Sequence, residues 1–396
     1  MGDNKTKASR QIFDILFSDV TIAVLVILLL VIASGVNYFS DLAGKEAQVA
    51  YLYPLDAPIQ NVWIAPVDDP SQARAVTDSE MGIFDFGVSP DGRFIAYSER
   101  HAATRTLDIY LLDLQTGAVE QLTDCGSQGA ECYTPIFHPS DNAIVYMRQA
   151  PNLDSEGHSD GAPDIWVLDI ATGQTQSLSV DSQTSGYSPQ WADDGNTIVF
   201  FSGEAHQPGI LVYNFTTQDS DNRPSLNFVP SSQGSVGALS PDGRKLIFPD
   251  MIARQGAFFA YMKIVDFTQD PPVIRNFTDP QAAIDDSAID WHPSGQFVTI
   301  ERRYMDERYT RGFQLYNIDV STQEITPLLV DENYSHHYFA WNRTGDSLVV
   351  QRIPLLNDDG TANNQTSPQI WVLDAETGAV TLISEQAFHP RWIESQ

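Results

Sequence analysis

Residues 84–123 read FDFGVSPDGRFIAYSERHAATRTLDIYLLDLQTGAVEQLT, and this stretch decides the fold. Four short runs rich in apolar residues are separated by a Ser-Pro-Asp-Gly turn at residues 89–92, a polar loop at residues 100–106 and a Gln-Thr-Gly turn at residues 115–117. Glycine supplies the positive φ angles that tight hairpin turns require. The stretch therefore predicts four short strands that follow one another through turns.

The same unit recurs along the chain. Its first turn returns, at steps of 48 to 53 residues, at Asp141-Asn142, Asp194-Gly195, Asp242-Gly243, Ser294-Gly295 and Thr344-Gly345. Its third strand returns at residues 165–169, 210–214, 262–266, 315–319 and 370–374. A period near fifty residues with four strands per period is typical of propeller blades. A single four-stranded sheet cannot bury both of its faces, so the units must stack around an axis.

The two ends of the chain predict one further blade. Residues 49–53, 61–67 and 73–77 match the second, third and fourth strands of the unit, but no first strand precedes them. Residues 387–392 match that missing first strand, and pairing the two ends would remove exposed sheet edges. We therefore predict an all-β, seven-bladed β-propeller over residues 48–396, with six complete blades and one closed by the C-terminal strand.

The N-terminal region contains an apolar run at residues 20–36 that carries no charge. A run of about 20 apolar residues crosses a bilayer, so we predict an uncleaved transmembrane signal anchor. Basic residues within residues 1–19 place that segment in the cytoplasm. Residues 37–47 then form a linker, and the propeller is periplasmic or extracellular. The alternative is a cleaved signal peptide with its cleavage site at residues 33–35.

The charge balance excludes one class of partner. The 396-residue chain has 22 Lys and Arg against 52 Asp and Glu, for a formal net charge of -30. Binding to nucleic acid needs clustered basic residues, so we expect no nucleic-acid partner. The acidic balance fits solubility, cation binding or a saline environment, and the sequence does not choose among them.

The chain has two cysteines, Cys125 and Cys132, in the segment that joins two predicted blades. In an exported domain, a pair so close in sequence favours a disulfide. The alternative, a metal or redox pair, lacks the two-residue spacing and further Cys or His ligands.

The repeat resembles a known family. A Ser-Pro-Asp-Gly-Arg turn before an apolar strand, an Ile-Trp-Val-Leu-Asp strand at residues 165–169 and a Thr-Gly turn resemble the WD-like repeat of TolB-type propellers. The resemblance covers residues 48–396. It implies a propeller fold and a role such as those of periplasmic adaptor proteins, of the propeller halves of prolyl oligopeptidase and dipeptidyl peptidase relatives, or of surface proteins.

Catalytic motifs are not found. The sequence has no Gly-x-Ser-x-Gly nucleophile elbow, and its 8 His are scattered without the spacing of metal ligands. The Asp residues of the turns are explained by turn capping. We therefore expect no enzyme activity and no cofactor, with calcium as the one alternative.

The calcium alternative rests on two acidic loops between second and third strands, at residues 148–164 and 355–367. Clustered carboxylates are the oxygen ligands that calcium prefers. Neither loop matches the EF-hand pattern, and the sequence favours ordinary polar loops. The candidate ligands are Asp154, Glu156, Asp160, Asp358 and Asp359.

Basic residues are concentrated in the loops between second and third strands, which share one side of a propeller with the blade-to-blade connections. They are Arg100, Arg105, Arg148, Arg254, Arg302, Arg303, Arg308, Arg311 and Arg352. Tyr304 and Tyr309 lie among them, and Arg with Tyr is enriched at protein interfaces. One hypothesis is that this side docks an acidic partner. The simpler alternative, which the neighbouring acids favour, is that the arginines form local ion pairs.

Together these observations predict a membrane-tethered, extracytoplasmic propeller that acts as a protein-interaction scaffold or as an accessory subunit of an envelope or membrane complex. The alternative is a sensor propeller that binds a small molecule or glycan. A hydrolase ranks last.

Overall fold

The structure is a computed structural model that describes residues 47–140, 142–151, 161–178, 185–203, 207–218, 224–254, 256–357, 359–363 and 367–394. The chain divides into two units, Met1–Glu46 and Ala47–Gln396. The predicted cytoplasmic segment, the membrane anchor at residues 20–36 and the linker up to residue 46 therefore lie outside the described residues. Within the described ranges, no helix has the length and apolar character needed to span a bilayer.

The second unit consists of seven antiparallel sheets of four strands each, in the part of the chain that the structure describes. We number the sheets as blades I to VII and give each from its innermost strand outward. Blade I consists of β28 (Phe388–Ile393), β1 (Gln48–Tyr53), β2 (Asn61–Pro66) and β3 (Arg74–Ala75). Blade II consists of β4 (Ile83–Val88), β5 (Phe94–Arg100), β6 (Leu107–Asp113) and β7 (Val119–Gln121). Blade III consists of β8 (Glu131–Phe137), β9 (Ala143–Gln149), β10 (Asp164–Asp169) and β11 (Thr175–Ser177).

The remaining four blades follow in chain order. Blade IV consists of β12 (Tyr187–Trp191), β13 (Thr197–Ser202), β14 (Gly209–Gln218) and β15 (Pro224–Pro230). Blade V consists of β16 (Ala238–Leu239), β17 (Lys245–Arg254), β18 (Ala257–Asp266) and β19 (Val273–Asn276). Blade VI consists of β20 (Ile284–Trp291), β21 (Phe297–Tyr304), β22 (Gln314–Asp319) and β23 (Ile325–Leu329). Blade VII consists of β24 (Tyr334–Trp341), β25 (Ser347–Pro354), β26 (Gln369–Asp374) and β27 (Val380–Glu385). Two short 3-10 helices, Pro70–Gln72 and Gly126–Gln128, lie between strands.

The core lies between the blades. Successive residues of a strand point to opposite faces of its sheet, so Ile144 packs against blade II while Val145 packs against blade IV. This alternation explains why the second strands are apolar at nearly every position. Each pair of neighbouring blades shares one apolar cluster, including the pair formed by blades VII and I. The stack therefore closes into a ring.

The predicted closure of the ring is confirmed. Strand β28 pairs antiparallel with β1, with Gln48 opposite Ile393 and Leu52 opposite Phe388. The predicted seven-bladed, all-β propeller, with its first blade completed by the C-terminal strand, is thus the observed fold.

The Asp-Gly turns hold their shape through side-chain hydrogen bonds. Asp91 accepts the backbone N–H of Arg93 at 2.8 Å, and the Ser89 hydroxyl accepts that of Phe94 at 2.8 Å. Gly92 has a φ of +67°, and a Cβ there would lie 2.5 Å from the carbonyl oxygen of Glu394. Only glycine fits this left-handed turn and the close approach of the closing strand.

The predicted disulfide is present. Cys125 and Cys132 are bonded to each other, and both side chains are buried in the cluster between blades II and III.

The antiparallel order gives the ring two different sides. The turns between first and second strands and between third and fourth strands lie on one side, which we call the turn face. The loops between second and third strands and the blade-to-blade connections lie on the other, which we call the loop face.

Candidate functional site

The innermost strands surround a central channel, which widens at the turn face into a cavity of about 710 Å³. Every blade contributes to the lining of this cavity through its first strand or the residues that follow it. Pro90, Pro139, Pro241 and Pro293 occupy the same position in four of the turns and form part of the rim. We call this cavity the channel mouth.

Three carboxylates converge on the channel mouth from three blades. Asp290 lies on β20, Asp193 follows β12, and Glu394 follows β28. Enclosure by protein raises the pKa of Asp290 to about 7, against the opposing hydrogen bonds from the backbone N–H groups of Trp341 and Trp291. Burial also raises the pKa values of Asp193 and Glu394, while the charge of Arg343 opposes both shifts. Burial thus disfavours the ionised forms of these carboxyls, and a cation that enters the cavity would favour them.

The one guanidinium in the lining is already occupied. Arg343 donates from Nη2 to the Pro90 carbonyl at 2.7 Å. Its backbone N–H donates to the Glu394 carboxylate at 2.9 Å. Arg343 therefore links three blades, and the carboxylates of Asp193 and Asp290 remain for an incoming ligand.

Repeat comparison could have found these carboxylates. Asp290 stands one residue before Trp291 at the end of a first strand, where blades II, III and V carry Gly87, Ile136 and Ala238. A charged residue at a position that faces a channel is a signal for a site.

The arginines of the loop face are largely committed to ion pairs. Arg302 is buried and makes a bidentate pair with Asp286, at 2.7 and 2.9 Å. Arg303 pairs with Asp285 at 2.8 Å. The Arg308 guanidinium binds Asp306 through Nε at 3.0 Å, which holds the pKa of that carboxyl at about 2. Arg308 thus pairs with an acid close to it in sequence, as the simpler alternative expected, whereas Arg302 and Arg303 pair with acids of the adjacent strand β20.

The remaining arginines divide into packed and free side chains. Arg352 is buried between the rings of Tyr334 and Trp371, at 3.8 and 4.8 Å, and pairs with Asp331. Arg100 pairs with Glu131 at 3.3 Å. Arg148 donates to Gln128 and stacks on Trp166, and Arg254 donates to the Gln281 carbonyl. The side chains of Arg105 and Arg311 are exposed and have no partner among the described residues.

The two tyrosines of the predicted binding face have different roles. Tyr304 is buried and lies between the guanidinium groups of Arg302 and Arg308, at 5.6 and 3.8 Å. Tyr309 is 55% exposed. Of the predicted contact residues, Arg302, Tyr304 and Arg352 are buried, whereas Tyr309, Arg105, Arg308 and Arg311 reach the surface.

The calcium candidates lie mostly beyond what the structure describes. Asp154, Glu156, Asp160 and Asp358 are outside the described residues. Asp359 accepts the backbone N–H of Thr361 at 2.9 Å and its hydroxyl at 2.6 Å, which lowers the pKa of the carboxyl. Within the described ranges, no three His, Cys, Asp or Glu side chains are grouped as a metal site requires.

One side-chain network has the order of a hydrolase relay. Ser335 Oγ lies 2.8 Å from His337 Nε2, and His337 Nδ1 lies 3.4 Å from Glu301 Oε2. However, Ser335 is buried, and its hydroxyl also accepts the backbone N–H of Phe313 at 3.0 Å. A substrate cannot reach this oxygen, so the network serves to join blades VI and VII.

Comparison with known families agrees with this architecture. The family described as the TolB beta propeller domain, PD40, matches residues 59–344. The chain belongs to this family. Its TolB-type repeats, inferred above from the Ser-Pro-Asp-Gly turns, are therefore confirmed.

Individual relatives fall into two groups. Dipeptidyl aminopeptidase BIII of Pseudoxanthomonas mexicana is 30% identical over 206 residues, which cover 50% of this chain and 28% of that protein. The Tol-Pal system protein TolB of Francisella tularensis subsp. holarctica is 23% identical over 251 residues, which cover 63% of this chain and 52% of that protein. The TolB-type chain thus spans about half, or less, of the length of these relatives.

Solved structures share the fold. An oligogalacturonate lyase from Vibrio parahaemolyticus superposes with a TM-score of 0.58 at 14% identity, covering 86% of this chain and 87% of that one. A prolyl endopeptidase superposes with a TM-score of 0.59 at 11% identity, covering 87% of this chain and 49% of that one. At 14% and 11% identity these likenesses show the fold and carry no activity.

Proposed function

We propose that this TolB-type propeller is a protein-interaction module of the cell envelope, tethered to the membrane by residues 20–36 and located outside the cytoplasm. It binds a projecting segment of a partner protein in the channel mouth and has no catalytic activity of its own. The observation that carries the proposal is the channel mouth itself, a cavity of about 710 Å³ to which all seven blades contribute.

The chemistry of the channel mouth favours a basic segment. Asp193 and Asp290 line the cavity without a salt bridge among the described residues. A Lys or Arg side chain that enters the mouth would form ion pairs with these carboxylates in a partly desolvated site, where such pairs contribute most to affinity. The net charge of -30 would also speed the approach of a basic partner. The Tol-Pal name of the TolB relative supports a role in a protein assembly.

Site-specific photocrosslinking tests the proposal. A photoreactive residue at Pro241, on the rim of the mouth, should give a discrete crosslinked partner in native membranes. The same residue at Val119, exposed on the outermost strand of blade II, should give none. Crosslinking that is equal at both positions, or that survives unchanged in Asp193→Asn with Asp290→Asn, would contradict binding at the mouth.

A second candidate function is the binding of a small molecule or glycan in the same cavity. Trp191, Trp291 and Trp341 contribute to the lining together with the amides of Gln190 and Asn342. Aromatic rings beside a few polar groups are typical of ligand pockets. A small-molecule panel that raises the melting temperature of the wild type, but not of an Asn342→Leu variant, would favour this candidate over the first.

A further inference from the structure

We propose that the loop face of blades V and VI carries a second docking surface, which binds an extended, acidic segment of a partner protein through an apolar anchor residue. This surface lies on the side of the ring opposite the channel mouth and does not depend on it. The propeller would then hold two partners at once, a basic segment on the turn face and an acidic one on the loop face.

The first observation is an elongated hairpin. Strands β17 and β18 pair over ten residues, from Lys245 opposite Asp266 to Arg254 opposite Ala257. The fourth strand, β19, pairs only with the lower part of β18. The tip of the hairpin therefore projects beyond its own blade. It carries Phe258, which is 73% exposed.

Further exposed apolar residues lie on the hairpin and on blade VI. Phe258 is opposite Ala253, two residues from Met251, so Met251 and Phe258 lie on one side of the hairpin. Ile247 and Met262 lie on the same face of the hairpin as Met251 and Phe258, and they pack toward blade VI. On blade VI, Met305 and Tyr309 are exposed as well. Exposed Met and aromatic side chains are enriched in binding surfaces.

A single linker holds the two groups together. The hairpin contacts it through Arg254, which donates to the Gln281 carbonyl at 2.9 Å, and through the backbone N–H of Ala260, which donates to the Asp285 carboxylate at 3.2 Å. The loop of blade VI contacts it through the N–H of Met305, which donates to the Ala283 carbonyl at 2.8 Å. Because both loops bind residues 281–285, the apolar groups border one continuous surface.

The same linker borders a groove between blades V and VI. The groove has a volume of about 400 Å³, within the range of roughly 300–1,000 Å³ typical of ligand pockets. Ala282 and Ile284 line it from the linker side, and Tyr304 and Ile318 line it from blade VI. Of the charged residues in its lining, Arg302 pairs with Asp286, Arg308 pairs with Asp306, and Asp279 is exposed. An apolar side chain that enters the groove therefore leaves both arginines compensated.

The backbone of β18 favours an extended occupant. The Met262 carbonyl accepts N–H groups of Phe277 and Thr278, which defines the outer edge of this strand. In an antiparallel strand the N–H and C=O of every second residue point to the same edge. The N–H and C=O of Phe258, four residues before Met262, therefore point to the outer edge. No described strand continues the sheet at that level. An extended segment can add to this edge and place alternate side chains toward the groove. On the inner edge, Pro249 lacks an N–H and discourages pairing.

The charge of the surface favours an acidic occupant. Arg254 binds a carbonyl rather than a carboxylate, and the exposed Arg311 has no partner among the described residues. The Arg308 guanidinium is half exposed and lies flat on the Tyr304 ring. Two exposed acids oppose them: Glu307, and Asp279, which lines the groove. On a chain with a net charge of -30, this is a region where an acidic segment finds guanidinium donors.

A defined peptide tests the proposal. The probe is a fluorescein-labelled octapeptide in which Asp alternates with Phe or Leu, so that the extended form presents one apolar and one acidic face. Its binding to the full-length chain is measured by fluorescence anisotropy. The expected result is saturable binding that weakens at least about tenfold in Phe258→Ser and in Arg311→Glu. Val119→Ser, which removes another exposed apolar residue, this one from blade II, is the control and should bind as the wild type does.

Three outcomes would overturn the proposal. The first is that the Phe258→Ser variant binds the peptide as tightly as the wild type does and has the same melting temperature. The second is equal or tighter binding of a peptide in which Lys replaces Asp. The third is a concentration-dependent dimer that Phe258→Ser dissolves, because a second copy would then occupy the surface. Crosslinking from Pro241 should be the same in Phe258→Ser and in the wild type, which separates this test from that of the channel mouth.

Discussion

Arg343 and Pro90, which are 253 residues apart in the chain, are joined by a 2.7 Å hydrogen bond from Arg343 Nη2 to the Pro90 carbonyl. The backbone N–H of Arg343 also donates to both oxygens of the Glu394 carboxylate, at 2.9 and 3.2 Å. Glu394 follows β28, the strand that completes blade I. One arginine therefore connects blades VII, I and II, and ring closure depends on more than the ladder between β28 and β1.

Replacing this arginine should weaken the closure. Arg343→Ala removes the bond to Pro90 and should lower the free energy of unfolding by about 1 kcal/mol, the usual net value of such a bond. The midpoint of chemical denaturation measures the change. Arg244→Ala is the matched control, since Arg244 occupies the corresponding turn of blade V, is exposed and has no side-chain hydrogen bond among the described residues. Equal losses in both variants would show that the bond to Pro90 contributes nothing.

Substitutions at two glycines distinguish the cost of a left-handed backbone from the cost of a clash with the closing strand. Gly92 and Gly117 have similar φ angles, +67° and +72°. Replacing either with alanine costs roughly 1 kcal/mol because of the left-handed backbone. A Cβ at Gly92 would also lie 2.5 Å from the Glu394 carbonyl oxygen, whereas a Cβ at Gly117 meets nothing within 4 Å. Gly92→Ala should therefore lower the melting temperature clearly more than Gly117→Ala, and a smaller effect would contradict the close contact with the closing strand.

The fold was readable from the sequence because its determinants are local and repeated. The turn at Asp91-Gly92, the continuous apolar run of strands such as β5 and the fifty-residue period are all local features of the sequence. The missing first strand of blade I was found at residues 387–392 by the same local pattern. Seven blades then follow from counting, and the seven four-stranded sheets of the described residues confirm that number.

The sites were less accessible because they join residues from different blades. Asp193, Asp290 and Glu394 meet only because three blades end at one channel mouth. Burial was equally hidden: Arg302 and Arg303 are neighbours in sequence, yet the first is buried against Asp286 and the second lies partly exposed beside Asp285. The local charge pattern indicated ion pairs, but it could not say that the partners lie on the adjacent strand or which arginine leaves the surface.

The buried pair of Arg302 and Asp286 makes a strong prediction. Removing one partner leaves an uncompensated buried charge, which typically costs about 3–5 kcal/mol. Arg302→Met should therefore destabilise the chain severely, as measured by thermal or chemical unfolding. The double variant Arg302→Met with Asp286→Leu should recover much of the loss. Arg308→Met, which breaks the exposed pair with Asp306, is the control and should change stability little. A double variant as unstable as the single one would contradict the stranded-charge explanation.

Asp290 should make stability depend on pH in a recognisable window. Its pKa is raised to about 7 by enclosure in the channel mouth, whereas an unfolded Asp titrates near pH 3.9. Between about pH 4 and pH 7 the folded chain holds a proton that the unfolded chain releases, so this group lowers the free energy of unfolding as the pH rises. Asp113 and Asp319, with pKa values of about 2, act in the opposite direction, but only below about pH 4. Asp290→Asn should therefore flatten the decline between pH 4 and 7 while leaving the acid limb unchanged. Urea unfolding at half-unit pH steps measures both limbs, and parallel curves for Asp290→Asn and the wild type would show that Asp290 is ionised throughout.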